Sequence, residues 1–281
     1  MSSKYRIISF IIIVFFILFL TGCFAMHGRQ KRYASSVVDY LYPYRSVIEQ
    51  PSIPYLSLPL RVGVAFVPES GGGPLANRLS GKEKMDLMKR ISSEFRSLQF
   101  VKDIELIPSD YLTKGGGFTN LDQIKTMYNI DLITLIAYDQ VQHTDEGLLS
   151  FSYLTIIGSY VIKGEKNDTN TMVDAVVYDI PSRKMLFRAP GTSHIKGSST
   201  LVNLSEQLRE DSLEGFNKAS DDLVVNLKDE LDSFKEKVKE RPQAYRVTHK
   251  TGYTGGGSLG GLYSVILLML GGLALWSGRE K

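Results

Sequence analysis

The sequence predicts an α/β (α+β) fold, a mixed β-sheet with packed helices, on three observations. Strand-like and helix-like segments alternate from Leu60 to Val141. Strand-like segments then follow one another from Leu148 to Ala189. A long apolar stripe at helical spacing closes the domain between Ser199 and Pro242. The first pattern implies parallel strands joined by helical crossovers, the second an antiparallel meander.

Leu60–Pro68 (LRVGVAFVP) mixes β-branched and small residues and reads as a buried strand. A glycine-rich turn over Glu69–Pro74 leads to Lys82–Leu98, where Met85, Met88, Ile91, Phe95 and Leu98 recur at spacings of three and four. That spacing is an amphipathic helix. Val101–Ile107 is the next strand, and Gly115-Gly116-Gly117 closes its loop. Asn120 is the expected N-cap of a short helix over Leu121–Tyr128. Ile130–Val141 (IDLITLIAYDQV) is apolar enough for the centre of a sheet. Leu148–Lys163, Thr171–Asp179 and Lys184–Ala189 form the expected meander, the last two joined by the turn Ile180-Pro181-Ser182-Arg183. Ser199 or Thr200 starts the final helix, with Leu201, Leu204, Leu208, Phe216, Ala219, Leu223, Leu227, Leu231, Phe234 and Val238 on its stripe and Gly215 where it would bend or break.

The flanks read differently. Residues 23–59 look like an extended lead-in: a basic patch (Arg29, Lys31, Arg32), then Tyr33, Tyr40, Tyr42, Tyr44 and Tyr55 among four prolines. Those prolines forbid a long helix, leaving room for a short one around Ala34–Leu41, and the tyrosines are expected to pack the segment onto the domain. The predicted order is a signal peptide at 1–22, the lead-in at 23–59, the α/β domain at 60–241, a spacer and glycine hinge at 242–257, and a transmembrane sorting tail at 258–281.

At the N-terminus, Lys4 and Arg6 precede the apolar run Ile7–Leu20, and Leu20-Thr21-Gly22-Cys23 follows at once. That order is a secretory signal peptide. Its last four residues resemble the bacterial lipobox. The resemblance implies cleavage between Gly22 and Cys23, a diacylglyceryl thioether on Cys23, and acylation (palmitate) of the new amino group by the prolipoprotein-processing enzymes. Cys23 is the sole cysteine of the chain, so no disulfide forms and the folded part rests on its core. Acyl chains anchor such a protein without a span. Phe24 stands where inner-membrane lipoproteins carry aspartate, and the resemblance therefore implies delivery to the outer membrane.

At the other end, Gly255-Gly256-Gly257-Ser258 opens an apolar run from Leu259 to Trp276, closed by Arg279-Glu280-Lys281. As a helix the run covers roughly 27 Å, just enough for the hydrocarbon core of a bilayer, with the basic residues at the cytoplasmic head groups. These features resemble the GlyGly-CTERM sorting signal, and with the lipobox they resemble the rhombotarget lipoproteins. The resemblance implies that rhombosortase, an intramembrane serine protease of the rhomboid family, cuts near Gly255, Gly256, Gly257 and Ser258. Glycines there leave helical geometry easily. Within the domain, the order of elements is similar to the amino-terminal domain of TolB, which implies a scaffolding role.

Composition and motifs narrow the function. The chain has a formal net charge of +3. Losing Lys4 and Arg6 with the signal, and one net charge with the tail, leaves a mature part without surplus charge, so nucleic acid is not an expected partner. Gly256-Gly257-Ser258-Leu259-Gly260 matches a nucleophile-elbow pattern but lacks the strand and core it needs. Gly81-Lys82 lacks the rest of a phosphate loop, since Ala76 and Glu83 stand at its other positions. His27, His143, His194 and His249 have no metal-ligand spacing, and neither cofactor nor metal is expected. Asp131, Asp139, Asp174 and Asp179 fall on strands without a visible pairing, and His143 with Asp139, Asp145 and Glu146 reads as a solvated strand end. Two functions follow: a non-catalytic envelope lipoprotein with a scaffolding or binding role toward an envelope partner, and alternatively a surface hydrolase or ligand-binding enzyme.

Overall fold

The computed structural model describes residues 29–43, 51–69, 79–146, 165–199, 203–251 and 253. The fold is mixed α/β. Its main sheet contains β1 (Arg29–Ala34), β3 (Leu60–Phe66), β4 (Val101–Ile107), β5 (Leu132–Glu146), β6 (Glu165–Asp179) and β7 (Lys184–Ser199). The order is β4-β3-β5-β6-β7, with β1 also on β5. As the alternation predicts, β3 runs parallel to β4 and to the first half of β5. The meander β5-β6-β7 is antiparallel. Along one edge of β5, β3 covers Leu132–Ile136 and β1 covers Asp139–Thr144.

Among the described residues, four α-helices complete three layers. Period-two alternation sends Val64, Phe66 and Ile136 toward α2 (Gly81–Phe95) and α4 (Leu204–Glu240), while Ala65, Val67, Ile133 and Leu135 face α1 (Val37–Leu41) and α3 (Gly117–Tyr128). A capping box starts α2: Glu83 N–H donates to Ser80 Oγ at 3.3 Å, and Ser80 N–H donates to Glu83 Oε2 at 2.6 Å. The helix α3 starts earlier than predicted, with Gly116 as its N-cap. Asn120 therefore lies inside the helix. Its buried amide oxygen accepts from Tyr40 Oη at 2.8 Å and Thr113 N–H at 2.9 Å, tying α1 to α3.

Three further expectations change. The described part of 23–59 carries the expected short helix, α1, and buries Tyr33 and Tyr40 as expected, but it is more than an extended lead-in: it also supplies β1 and the strand β2 (Tyr55–Leu58). Strand pairing of Arg29–Ala34 with β5 needs only backbone groups, which a basic sequence offers as well as an apolar one. The polar spacer likewise contributes β8 (Arg246–His249), which pairs in parallel with β2. Gly215 does not break α4, which is continuous over 37 residues. A Cβ at Gly215 would lie 2.6 Å from Thr171 Oγ1, so the glycine lets helix and sheet approach closely.

The meander strands are longer than predicted, with β6 starting at Glu165 and β7 running to Ser199. The expected strand Leu148–Lys163 lies outside the described residues, as do the signal peptide and the sorting tail. Among the described residues no helix is long and apolar enough to cross a membrane.

Candidate functional site

The two halves of α4 meet the sheet by different chemistry. Along its first half, buried amides and hydroxyls fill the contact. Gln140 donates from Nε2 to Thr171 Oγ1 (2.8 Å) and to the Ser212 carbonyl (3.1 Å), and accepts from Ser212 Oγ at 2.6 Å. Gln142 Nε2 donates to the Leu208 carbonyl at 2.7 Å, and Ser193 Oγ to the Gly215 carbonyl at 2.7 Å. Gln207 Nε2 donates to Asp211 Oδ1 at 2.9 Å. The amides and hydroxyls among these groups hold one another and the helix backbone. Their chemistry is that of a lock.

Further down α4 the contact turns apolar and then opens. Gly191 brings β7 so close that a Cβ there would lie 2.1 Å from the Ala219 carbonyl oxygen. Beyond Leu223, helix and sheet part around a cavity of about 600 Å³. Val62, Leu132, Val177 and Phe187 of the sheet form its floor. Ile91 and Phe95 of α2 wall one side, and Leu231, Phe234 and Val238 of α4 another. Leu56, Leu58 and Val247 of the β2–β8 ribbon, with Tyr253, close the end. The cause is local: α4 stays in place through Phe234, whose ring lies 5.3 Å from that of Phe187 and 5.4 Å from that of Tyr245. It is tied to α2 by Lys228 Nζ on Glu94 Oε2 at 2.6 Å and by Arg90 with Asp221.

The polar lining is sparse. Thr134 is buried on the floor, and the more exposed Gln99, Lys235 and Lys239 line the rim. Lys235 Nζ sits 5.3 Å from the centroid of the Phe100 ring and 2.7 Å from Asp232 Oδ1, and Lys239 Nζ lies 2.7 Å from Glu236 Oε1. A volume of this size, apolar walls and few polar groups at one mouth are the properties of a small-ligand site.

The residues singled out in the sequence scatter. Leu20, Thr21, Gly22, Cys23, Gly255, Gly256, Gly257 and Ser258 lie outside the described residues, as does His27. His143 is exposed on β5, His194 pairs with Asp168, and the His249 ring stacks on Tyr253 with centroids 5.6 Å apart. Asp139 accepts from Arg32 at 2.7 Å and Asp174 from Arg188 at 2.7 Å. Asp131 accepts from Arg61 N–H at 2.9 Å and Lys250 Nζ at 3.0 Å. Register brings Asp179 opposite Leu132, beside Asp131. Burial raises the Asp179 carboxyl above its ordinary range, the Asp131 charge adds to this, and hydrogen bonds from Ser182 oppose it. Burial also pushes the Tyr178 phenol up to about 12 and moves Tyr40 and Tyr138 upward. Among the described residues no group of three His, Cys, Asp or Glu side chains could hold a metal ion.

The cavity was not visible in the sequence. Phe95, Leu98, Leu231 and Val238 read there as ordinary core positions of helical stripes, and the signal that separates them is tertiary: they remain only half-buried after folding.

No protein-family model matches the chain, and no curated protein matches it. Among solved structures it is similar to two PelC dodecamers from Paraburkholderia phytofirmans, one of them a variant. The identities are 11% and 10%, the TM-scores 0.26 and 0.24, and each match covers 67% of this chain and 99% of the PelC chain. At those scores the likeness carries no argument.

Proposed function

We propose that this chain is a non-catalytic bacterial envelope lipoprotein, lipidated at Cys23 and sorted through a C-terminal tail that rhombosortase removes. One observation carries the reading: the sole cysteine of 281 residues falls at the end of Leu20-Thr21-Gly22-Cys23, directly after an apolar run behind Lys4 and Arg6. A thiol placed there meets the membrane surface, where lipid transfer takes place. The precursor belongs in the inner membrane and the mature form at the outer membrane or cell surface. Of scaffolding and binding, the apolar cavity favours binding.

The strand ends add a geometric consequence. The chain enters β1 opposite Thr144 and leaves β8 beside Asp131, where Lys250 N–H donates to the Leu58 carbonyl at 2.8 Å. Along β5 these points are about 40 Å apart. Cys23 lies six residues before Arg29, and Leu259 six after Tyr253. Each link reaches roughly 20 Å when extended. With both ends in one bilayer, the domain is held side-on; removing the tail frees the pole that carries the cavity.

Intact-mass analysis of the protein from its native membrane tests the reading. The expected species begins at a lipid-bearing Cys23 and ends near Gly257. A species that keeps Trp276 contradicts tail processing. Cys23→Ser should accumulate as an uncleaved precursor in the inner membrane, and normal maturation of that variant would remove the lipobox assignment.

A further inference from the structure

We infer that the cavity beneath the C-terminal third of α4 takes a single long acyl chain with an anionic head, the carboxylate lying at Lys235 and Lys239. The walls select the tail of such a molecule. Leu58, Phe95, Leu98, Phe100, Leu231 and Val238 each line the space and each stay half-buried, so they leave apolar surface uncovered together in one concave place. A volume of about 600 Å³ lies within the range of ligand pockets, roughly 300–1,000 Å³, and far below that of an 18-residue apolar helix. The occupant is therefore a chain-like small molecule rather than the segment Leu259–Trp276.

The rim selects the head. Both charged residues in the lining are lysines. Their partners, Asp232 and Glu236, lie one helical turn back on the outer face of α4, in exposed pairs that are weakly held and leave the ammonium groups able to turn to a carboxylate. Lys235 is already aimed at the mouth by its seat over the Phe100 ring. Location supplies the source. Tyr253 lines the cavity and the chain continues from there toward Leu259, so on the membrane reading above, on which this point rests, the cavity lies near the bilayer before the tail is removed.

The test uses the full-length protein in phosphatidylcholine vesicles and a palmitic acid carrying a diazirine near its methyl end. After illumination, peptide mapping should place the label on Phe95–Ile104 and on Leu227–Val238, with unlabelled palmitate competing. Leu231→Trp fills the space and should cut that labelling at least tenfold at an unchanged melting temperature; Val62→Phe serves if the first variant unfolds. Lys235→Glu with Lys239→Glu should weaken competition by palmitate several-fold and leave competition by hexadecanol unchanged. Label found only on residues 259–276, or cavity labelling that survives both filled variants, overturns the inference. Cavity labelling that appears only after residues 254–281 are removed also overturns it, by giving the space to the tail. Lipid on Cys23 with an unlabelled cavity sinks this inference alone, whereas a labelled cavity with an unlipidated Cys23 sinks only the lipoprotein reading.

Discussion

The first half of α4 and its second half lie on the same sheet, yet one contact is sealed by hydrogen bonds and the other by hydrocarbon that does not quite close. Under Leu208–Gly215 the sheet presents Gln140, Gln142, Thr169 and Thr171, all buried, with the two glutamines donating both to helix carbonyls and to the threonine hydroxyls. Under Ala219–Val238 it presents Ala189, Val177, Leu186 and Phe187. Directional bonds fix one position of the helix, because an amide one residue out of register loses its partner. Apolar contacts are non-directional and single out one register less sharply. The locked end thus positions a helix whose other end is free to roof a cavity.

The strongest way to break this contrast is to damage the apolar contact above the cavity. Leu223 has no exposed surface, and Leu223→Ala should cost about 2–5 kcal/mol, read as a lower denaturant midpoint at constant slope. Next comes the polar end. Gln140→Ala should cost about 1–3 kcal/mol, since Thr171 Oγ1 and Ser212 Oγ lose their partner while buried. Gln140→Leu sharpens the point, because it restores volume but not the bonds. It should be no more stable than the alanine variant by the same denaturant titration. A leucine variant as stable as the natural protein would show that the buried amide is no lock.

The same contrast explains what the sequence made legible. Hydropathy periodicity found β3, β4, the apolar half of β5 and the stripe of α4, because those contacts are made of the residues that periodicity counts. It stopped short on β7 after Ala189, where the buried positions continue as Gly191, Ile195 and Ser199 in a stretch that otherwise reads as a turn. It passed over Arg29–Ala34, whose place is fixed by backbone pairing with β5, and over Arg246–His249 for the same reason. Gln140, Gln142, Thr169 and Thr171 do alternate with period two. They alternate as polar residues, though, and a polar face reads as solvent until a helix is known to cover it. The cavity was the least legible feature, since a residue that lines a space and one that fills it have the same side chain.

A smaller effect separates the two ends by pH. Asp179 sits at the apolar end, buried, its Oδ2 accepting from Ser182 N–H at 3.1 Å. Burial, more than the nearby Asp131, raises its folded-state pKa above the ordinary 3.8. In the window between the ordinary and the raised value, the folded chain holds a proton that the unfolded chain releases. Stability is therefore greatest below the ordinary value and is lost as pH rises through the raised one. Asp179→Asn keeps an oxygen for Ser182 and carries no charge. It should melt above the natural protein at pH 7, and the difference should shrink as the buffer is taken below about pH 4, where a carboxyl group of ordinary pKa also becomes neutral. Thermal melts of both proteins across that range decide the matter: a gap that does not change with pH would mean that the carboxylate is comfortable where it is, and that the apolar end of the sheet is wetter than its side chains imply.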